Sequence, residues 1–305
     1  MKKIAIITGA SSGMGKEFAL QISQTKPLDE IWLIARRKNN LEEIATSIKK
    51  ICSEKNFNTN LIPKIIELDI SGKEGSKKFA EILHQENTDE TTISILVNNA
   101  GFGTYGTFEE TPVEKEIEMI ELNCSSLTGI CGYAIPYMKK DSILINTASL
   151  ASFMPLGNFA VYAATKSYVL SFSIALAAEL KHKGIKVCAL CPGPVSTEFA
   201  NVASNGAREK VKHGLPADKV VKHCLKKAYK GKRIILYAFK WKFAATASSF
   251  VGRNLVAWFT YKFNKLKYRI NDKNQINYNL TYYKTKLGQV DCGQMLDTDS
   301  KKSPK

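Results

Sequence analysis

Tyr162 and Lys166 stand four positions apart, and Ser149 precedes the tyrosine by thirteen. All three side chains can handle protons. A phenol titrates near pH ~10, too high to exchange protons readily at neutral pH. A lysine ammonium held nearby favours the phenolate and lowers that value. A spacing of four sets the pair on one face of a helix. A serine hydroxyl could then hydrogen-bond a substrate oxygen while the tyrosine gives or takes its proton. Alone, Tyr-x-x-x-Lys also describes an ordinary exposed helix face, so its weight comes from the residues that accompany it.

The first of these is Thr8-Gly9-Ala10-Ser11-Ser12-Gly13-Met14-Gly15, which follows the apolar run Ile4–Ile7 and opens a stretch of helical periodicity. A pyrophosphate needs backbone N–H groups and the positive end of a helix dipole close by. Side chains at Gly9, Gly13 and Gly15 would obstruct that approach, and Ser11, Ser12 and Met14 complete the turn. The spacing is G-x-x-x-G-x-G rather than G-x-G-x-x-G, but its place after a strand and before a helix gives it meaning. Dinucleotide folds that favour the unphosphorylated cofactor carry an acid after the second strand to accept the ribose hydroxyls. Arg36 and Arg37 stand there instead. Forked, charge-assisted hydrogen bonds from arginine suit a 2′-phosphate, which favours NADP(H) over NAD(H). Asp69-Ile70 and Asn98-Asn99-Ala100-Gly101 close two further strands, where ligands of such sheets bind and where polar groups can contact adenine and ribose. A nicotinamide would supply the hydride, leaving the protein to place the substrate and its proton.

These residues need a scaffold, and the rest of the chain predicts one. The brief apolar runs Ile4–Ile7, Ile31–Ala35, Ile65–Leu68, Ile93–Val97, Ile143–Ile145 and Ile185–Leu190 read as strands covered on both faces. Helical segments lie between them at Gly13–Gln24, Leu41–Ser53, Gly75–Gln85, Val113–Met138 and Val161–His182. The alternation predicts an α/β fold with a doubly wound parallel sheet. Past Pro192 the pattern weakens into a loop or helical lid near 196–214, then a helix at Ala217–Tyr229 and a short strand at Arg233–Leu236. One domain over 1–236, a helical, basic aromatic extension over 237–271 and a disordered tail over 272–305 are expected.

At 305 residues, 44% hydrophobic and 24% charged, the composition is that of a globular protein. Seven scattered cysteines do not form a secreted disulfide framework. Cys188 and Cys191 fall in an expected strand, where residues three apart point to opposite faces, so buried apolar cysteine fits better than a metal site. His84, His182, His213 and His223 show no metal spacing and read as surface residues. The apolar stretch after Met1-Lys2-Lys3 is too short for a signal peptide, and a cytoplasmic location is expected.

The net charge of +16 is concentrated: residues 207–273 hold 18 Lys and Arg against Glu209, Asp218 and Asp272. Phe239, Trp241, Phe243, Phe250, Trp258, Phe259, Tyr261 and Phe263 interleave there with Lys240, Lys242, Arg253, Lys262, Lys265 and Lys267. One reading packs the aromatics over the substrate mouth or a neighbouring subunit, with the lysines in water. Another sets them on an anionic membrane surface. A transmembrane span over 243–261 would place Arg253 centrally, at a cost of about 2.5–3.5 kcal/mol. Nucleic acid is not an expected partner, because no recognised nucleic-acid-binding pattern is present.

Taken in order, T-G-A-S-S-G-M-G from Thr8, A-R-R from Ala35, D-I at Asp69, N-N-A-G from Asn98, Asn123 in E-L-N, Ser149, Tyr162 with Lys166, and P-G-P-V-S-T from Pro192 resemble the short-chain dehydrogenase/reductase family over roughly residues 3–200. The resemblance implies a Rossmann-type sheet of about seven strands with helices on both faces. It implies Tyr162 as general acid/base, Ser149 as carbonyl-positioning group, and Lys166 as ribose ligand and tuner of the tyrosine. Asn123 would hold a relay water, while Pro192, Gly193, Val195 and Thr197 would line the nicotinamide side. Within the family, N-N-A-G-F-G-T-Y-G and Y-A-A-T-K-S-Y-V are similar to 3-oxoacyl reductases and 17β-hydroxysteroid dehydrogenases, and Arg36 and Arg37 to NADP(H)-preferring members. A fairly apolar carbonyl or alcohol substrate and a homo-oligomer are the corresponding expectations. The rival is a non-catalytic redox sensor or membrane-surface scaffold, which the retained tyrosine and lysine argue against.

Overall fold

Short runs of aliphatic residues can bury themselves only if their backbone N–H and C=O groups are paired, and side-by-side strands achieve this. In the structure, a computed structural model, residues 2–86, 91–204, 206, 214–248 and 250–263 are described. Among them seven strands form one sheet: β1 (Lys2–Thr8), β2 (Glu30–Ala35), β3 (Ile62–Glu67), β4 (Thr91–Asn98), β5 (Ile143–Thr147), β6 (Lys186–Leu190) and β7 (Ile234–Ile235). The order is β3-β2-β1-β4-β5-β6-β7 and every pairing is parallel. This is the Rossmann-type α/β fold.

Between the strands run α1 (Gly13–Ile22), α2 (Lys38–Glu54), α3 (Gly72–Glu86), α4 (Val113–Ile120), α5 (Leu127–Ala134), α6 (Ala160–Glu179), α7 (Phe199–Ala203) and α8 (Ala217–Ala228). Two C-terminal helices follow, α9 (Phe239–Ala247) and α10 (Arg253–Phe263). The period-two alternation of each strand feeds two cores. Ala5 and Ile7 pack with Phe18, Leu41 and Val220 on one face. Ile4 and Ile6 pack with Phe79, Ile130 and Val169 on the other. Each Ile, Leu, Val or Phe side chain among them contributes about 1.5–3 kcal/mol when fully buried. Cys188 belongs to the first core and Cys191 to the second, both at 0% exposure, as their opposed directions require.

Three expectations are refined. The segment Val113–Met138 is not one α-helix. Between α4 and α5, residues Glu121–Ser126 form a π-helical turn, and Ile135–Tyr137 finish as a 3-10 turn at Pro136. Ser126 Oγ donates to the Glu121 carbonyl five residues back, at 2.8 Å, matching the wider winding. The lid contains only the short α7 among its described residues, and 207–213 lie outside them, as does the expected tail 272–305. The last strand shrinks to Ile234–Ile235. Among the described residues one helix, 160–183 (α6 and the 3-10 turn after it), is long and apolar enough to cross a membrane, but half of its most apolar stretch is buried inside the fold, and it carries the Tyr-Lys pair.

The strand order reverses between β1 and β4, whose outgoing chains turn to opposite faces. That reversal opens a crevice at the carboxyl ends of the strands.

Candidate active site

The crevice floor is the turn after β1. Gly9 and Gly13 adopt φ of +64° and +52°, a region that favours glycine. A Cβ on Gly13 would also stand 3.1 Å from Thr197 Cγ2, and one on Gly15 would collide with the Gly9 carbonyl oxygen. The turn is tied to the end of β4. Thr8 Oγ1 accepts the N–H groups of Asn99 and Ala100 at 3.0 and 3.1 Å. The Asn99 carboxamide donates back to the carbonyls of Thr8 and Gly9 at 3.2 and 3.3 Å. Asn98, its neighbour on the strand, points the other way. Its Nδ2 donates to Asn146 Oδ1 at 2.9 Å beneath the sheet, so its side chain lies away from the crevice. Ile70 is likewise a core side chain, while Asp69 Oδ1 receives the Ser71 N–H at 2.9 Å.

At the rim, Arg37 collects the serines of the glycine turn. Its Nη2 donates to Ser11 Oγ at 3.2 Å and Ser12 Oγ at 2.7 Å, and its Nη1 meets Glu198 Oε2 at 3.0 Å. Arg36 turns aside to Asp69, at 3.7 Å. Hydroxyls, a guanidinium and the amino end of the ten-residue α1 therefore converge, a donor set suited to an anionic dinucleotide. Glu198 comes from the loop after β6. That loop is pinned by Val195, bridged to Leu215, and by the Pro192 carbonyl, which accepts the Leu150 N–H at 2.9 Å.

Beyond the floor, the three proton-handling residues meet. Ser149 caps the 3-10 turn Leu150–Phe153, accepting the Ala151 N–H at 3.1 Å, while Ser152 Oγ accepts the Ser149 N–H at 3.2 Å. The Ser149 hydroxyl lies beside the Tyr162 phenol. Lys166 is 5% exposed, its Nζ 2.9 Å from the Thr147 carbonyl and 5.8 Å from the centre of the Tyr162 ring. Here the structure corrects an expectation. Burial pushes the Tyr162 phenol up to about 12, with the neighbouring Ser149 hydroxyl pulling the other way. Burial also brings Lys166 down to about 8, against the nearby thiols of Cys124 and Cys191. Lys166 is held on a carbonyl rather than on the phenol, so desolvation outweighs the charge effect that the spacing implied.

Asn123 sits in the π turn, 1% exposed. Its Oδ1 accepts the Phe102 N–H at 3.1 Å, and its Nδ2 donates to the Phe102 carbonyl and Thr165 Oγ1 at 2.9 and 3.1 Å. A Cβ on Gly101 would fall 2.7 Å from Asn123 Oδ1 and 3.3 Å from Lys166 Nζ, so Asn123, Gly101 and Lys166 form one cluster.

Further residues shape this place. Phe159 and Phe199 hold Tyr162 between them, with ring centres at 4.3 and 5.4 Å. Met119 and Ala151 complete the apolar cluster. From the C-terminal extension, the Trp241 indole lies against Gly193, where a Cβ would come within 2.5 Å of its Nε1. That indole nitrogen is buried without a hydrogen-bond partner. From α10, Thr260 Oγ1 accepts the Gly157 N–H at 2.9 Å and the Tyr261 carbonyl accepts Asn158 Nδ2 at 3.0 Å. Only long-range packing brings these groups in. Among the described residues no group of three His, Cys, Asp or Glu gathers for a metal. His84 and His182 are exposed, His223 packs on the Tyr237 ring, and His213 lies outside the described residues.

The family model described as short chain dehydrogenase matches residues 3–207. An uncharacterized oxidoreductase of Staphylococcus epidermidis is 31% identical over 222 residues, 72% of this chain and 90% of that one. An NADP-dependent 3-hydroxy acid dehydrogenase of Schizosaccharomyces pombe is 31% identical over 212 residues, 68% of this chain and 77% of its own. A short-chain dehydrogenase from Sphingobium yanoikuyae, solved in complex with NADPH, superposes with a TM-score of 0.66 at 23% identity, covering 82% of this chain and 94% of that one. The glycine turn, the Ser149–Tyr162–Lys166 cluster and these matches converge: the chain belongs to the short-chain dehydrogenase/reductase family and is an oxidoreductase of the alcohol–carbonyl couple.

Proposed function

We propose that this protein is an NADP(H)-dependent reductase of fairly apolar ketones, with 3-oxoacyl or steroid-like compounds as the substrate class. The observation that carries the reading is the placement of Tyr162, beside the Ser149 hydroxyl and walled by Phe159 and Phe199. An apolar substrate gains from those rings, and its carbonyl oxygen finds two hydroxyl groups. A 3-oxoacyl compound is the oxidised form of the 3-hydroxy pattern in the name of the Schizosaccharomyces pombe relative.

Gly9, Ser11, Ser12, Gly13, Met14 and Gly15 would hold the pyrophosphate, and Arg37, with Arg36 beside it, the 2′-phosphate. Asp69, Ile70, Asn98, Ala100 and Gly101 would flank adenine and ribose, Asn98 and Ile70 through their backbone. Pro192, Gly193, Val195 and Thr197 would flank the nicotinamide. That group, when bound, supplies the hydride. The protein's own part is the proton. Tyr162, protonated at neutral pH because burial holds it near 12, donates its O–H proton to the carbonyl oxygen. The phenolate left behind is met by the Ser149 hydroxyl, and the Lys166 ammonium, 5.8 Å from the centre of the ring, attracts it. Lys166 also binds the nicotinamide ribose, and Asn123 holds the region through which the proton is replaced.

The same reading places the enzyme in the cytoplasm, consistent with six free cysteines among the described residues. It also makes the enzyme a homo-oligomer. Ile117, Ile120, Tyr133, Tyr168 and Ile174 on α4, α5 and α6 leave apolar groups exposed for a second copy.

The test is NADPH oxidation over a panel of 3-oxoacyl thioesters, ketosteroids and small ketones, with Tyr162→Phe in parallel. The variant should lose about 10²–10⁴-fold in turnover while still binding NADPH. Turnover within a few-fold of the parent would remove Tyr162 from the mechanism. NADPH binding with no reducible ketone would favour a sensor.

A further inference from the structure

The helices α9 and α10 and the turn between them expose apolar groups that the fold does not bury. Phe239 is 82% exposed, Phe243 67%, Phe250 86%, Leu255 58%, Trp258 53% and Phe263 60%. An exposed apolar patch on this scale marks an interaction site. The cations Lys240, Lys242, Arg253 and Lys262 stand among these residues, and from 239 to 263 there is no acid. Lys240 lies over the Trp241 ring at 4.8 Å and Lys262 over Trp258 at 4.9 Å, so the charges share the aromatic surface.

That composition selects its partner. A second copy would bring the same cations face to face, which complementary interfaces avoid. A nucleic acid wants a basic groove with aromatic platforms, whereas these aromatics stand exposed on and between two helices, with aliphatic Val251 and Leu255 among them. Aromatics at headgroup depth, apolar groups below them and cations on the anionic headgroups describe a helix lying in a membrane surface.

We infer that α9 and α10 dock this protein on an anionic lipid bilayer, with the catalytic mouth turned toward the acyl region. The orientation follows from the contacts of the two helices. Trp241 of α9 lies on Gly193, and α10 is bonded to Gly157 and Asn158, just before the Phe159 that walls Tyr162. A groove of about 380 Å³ runs between Phe153, at the end of the turn capped by Ser149, and Ser248, Val251, Arg253 and Val256 of the extension. A ketone dissolved in the bilayer would meet the mouth without crossing water. The substrate part of this inference rests on the reductase reading above, and the docking part does not.

The test is co-sedimentation of the full chain with vesicles of phosphatidylcholine alone and of phosphatidylcholine mixed with phosphatidylserine. Binding should be strong only to the mixed vesicles and fall with added salt. Phe239→Ser with Phe250→Ser, and separately Lys240→Glu with Lys262→Glu, should each weaken it about tenfold or more. Both double variants should reduce a small water-soluble ketone at the parent rate, and a long-chain ketone carried in the vesicles more slowly. Equal binding to both vesicle types, or no loss in either variant, overturns the inference. So does tighter binding to an oligonucleotide, or self-association that these substitutions abolish. Sedimentation needs no turnover, so a protein that binds vesicles but reduces nothing would keep the docking and lose the reductase.

Discussion

Replacing Arg37 by alanine isolates the group on which cofactor choice turns. Its guanidinium already meets two serine hydroxyls and the Glu198 carboxylate at 2.7–3.2 Å, so it is oriented before any phosphate arrives. Hydrogen bonds to charged groups contribute about 1.5–3 kcal/mol each. With 47% of its side chain exposed, Arg37 belongs at the low end, and two such bonds give about 3 kcal/mol. Against this stands the exchange of Glu198, a half-exposed pair that contributes about 0.2–1 kcal/mol. The net is about 2–3 kcal/mol, or roughly 30–150-fold in affinity for NADPH. NADH has no 2′-phosphate and should bind Arg37→Ala about as well as the parent. Arg36→Ala should cost less, because Arg36 is 75% exposed and faces Asp69. Glu198→Gln should go the other way, tightening NADPH by about 1.5–5-fold as the competing carboxylate is removed. Initial rates with both cofactors at saturating ketone decide the matter. If Arg37→Ala weakens NADPH and NADH equally, Arg37 is only a clamp on the Ser11–Ser12 turn and the phosphate reasoning fails.

Other consequences are as direct. Carbonyl reduction should decline as the pH rises through about 8, where Lys166, held below its usual value by burial, gives up the charge that steadies the nascent phenolate. In Lys166→Arg, which does not titrate in this range, the residual turnover should lack that limb, and its persistence would assign the limb to another group. Gly15→Ala drives a methyl into the Gly9 carbonyl and should lower unfolding stability by about 1–3 kcal/mol in urea titrations; an unchanged midpoint would mean that the turn is not this tight. Trp241 should report cofactor binding, since its unpartnered Nε1 lies at Gly193. Intrinsic fluorescence should change on NADPH addition, and Trp241→Phe should remove most of the change and weaken binding about 2–10-fold. A full signal from the remaining tryptophans would place Trp241 outside the site.

Much of this site could be read in the sequence because its chemistry is local. The glycine turn, Arg37 and the Tyr162–Lys166 spacing are each set within one turn or one helix. What escaped depends on parity, winding or distance. Asn98 and Asn99 look equivalent in a motif, yet adjacent strand residues face opposite ways, and only Asn99 ties the glycine turn. The π turn at Asn123 uses residues that would serve an α-helix equally well, and only the wider backbone winding of Glu121–Ser126 reveals it. Trp241 stands out as part of an aromatic run, but its contact with Gly193 joins residues 48 positions apart, beyond the reach of any local pattern. The extension was expected as helix, though not its break into α9 and α10 before Arg253.

The protonation of Tyr162 is the instructive failure. Spacing alone predicts a lysine-lowered phenol, whereas burial raises Tyr162 and lowers Lys166, each toward its neutral form. A neutral phenol is the right donor for a carbonyl oxygen gaining negative charge, and the same low-dielectric site strengthens the attraction of a nearby ammonium for the phenolate that results. Lys166 therefore matters most after the proton has left, not before. In the oxidative direction Tyr162 must first lose its proton, so alcohol oxidation should climb with pH over the range where reduction declines. Opposed pH profiles for the two directions follow from one buried pair, and parallel profiles would show that the pair does not control the proton.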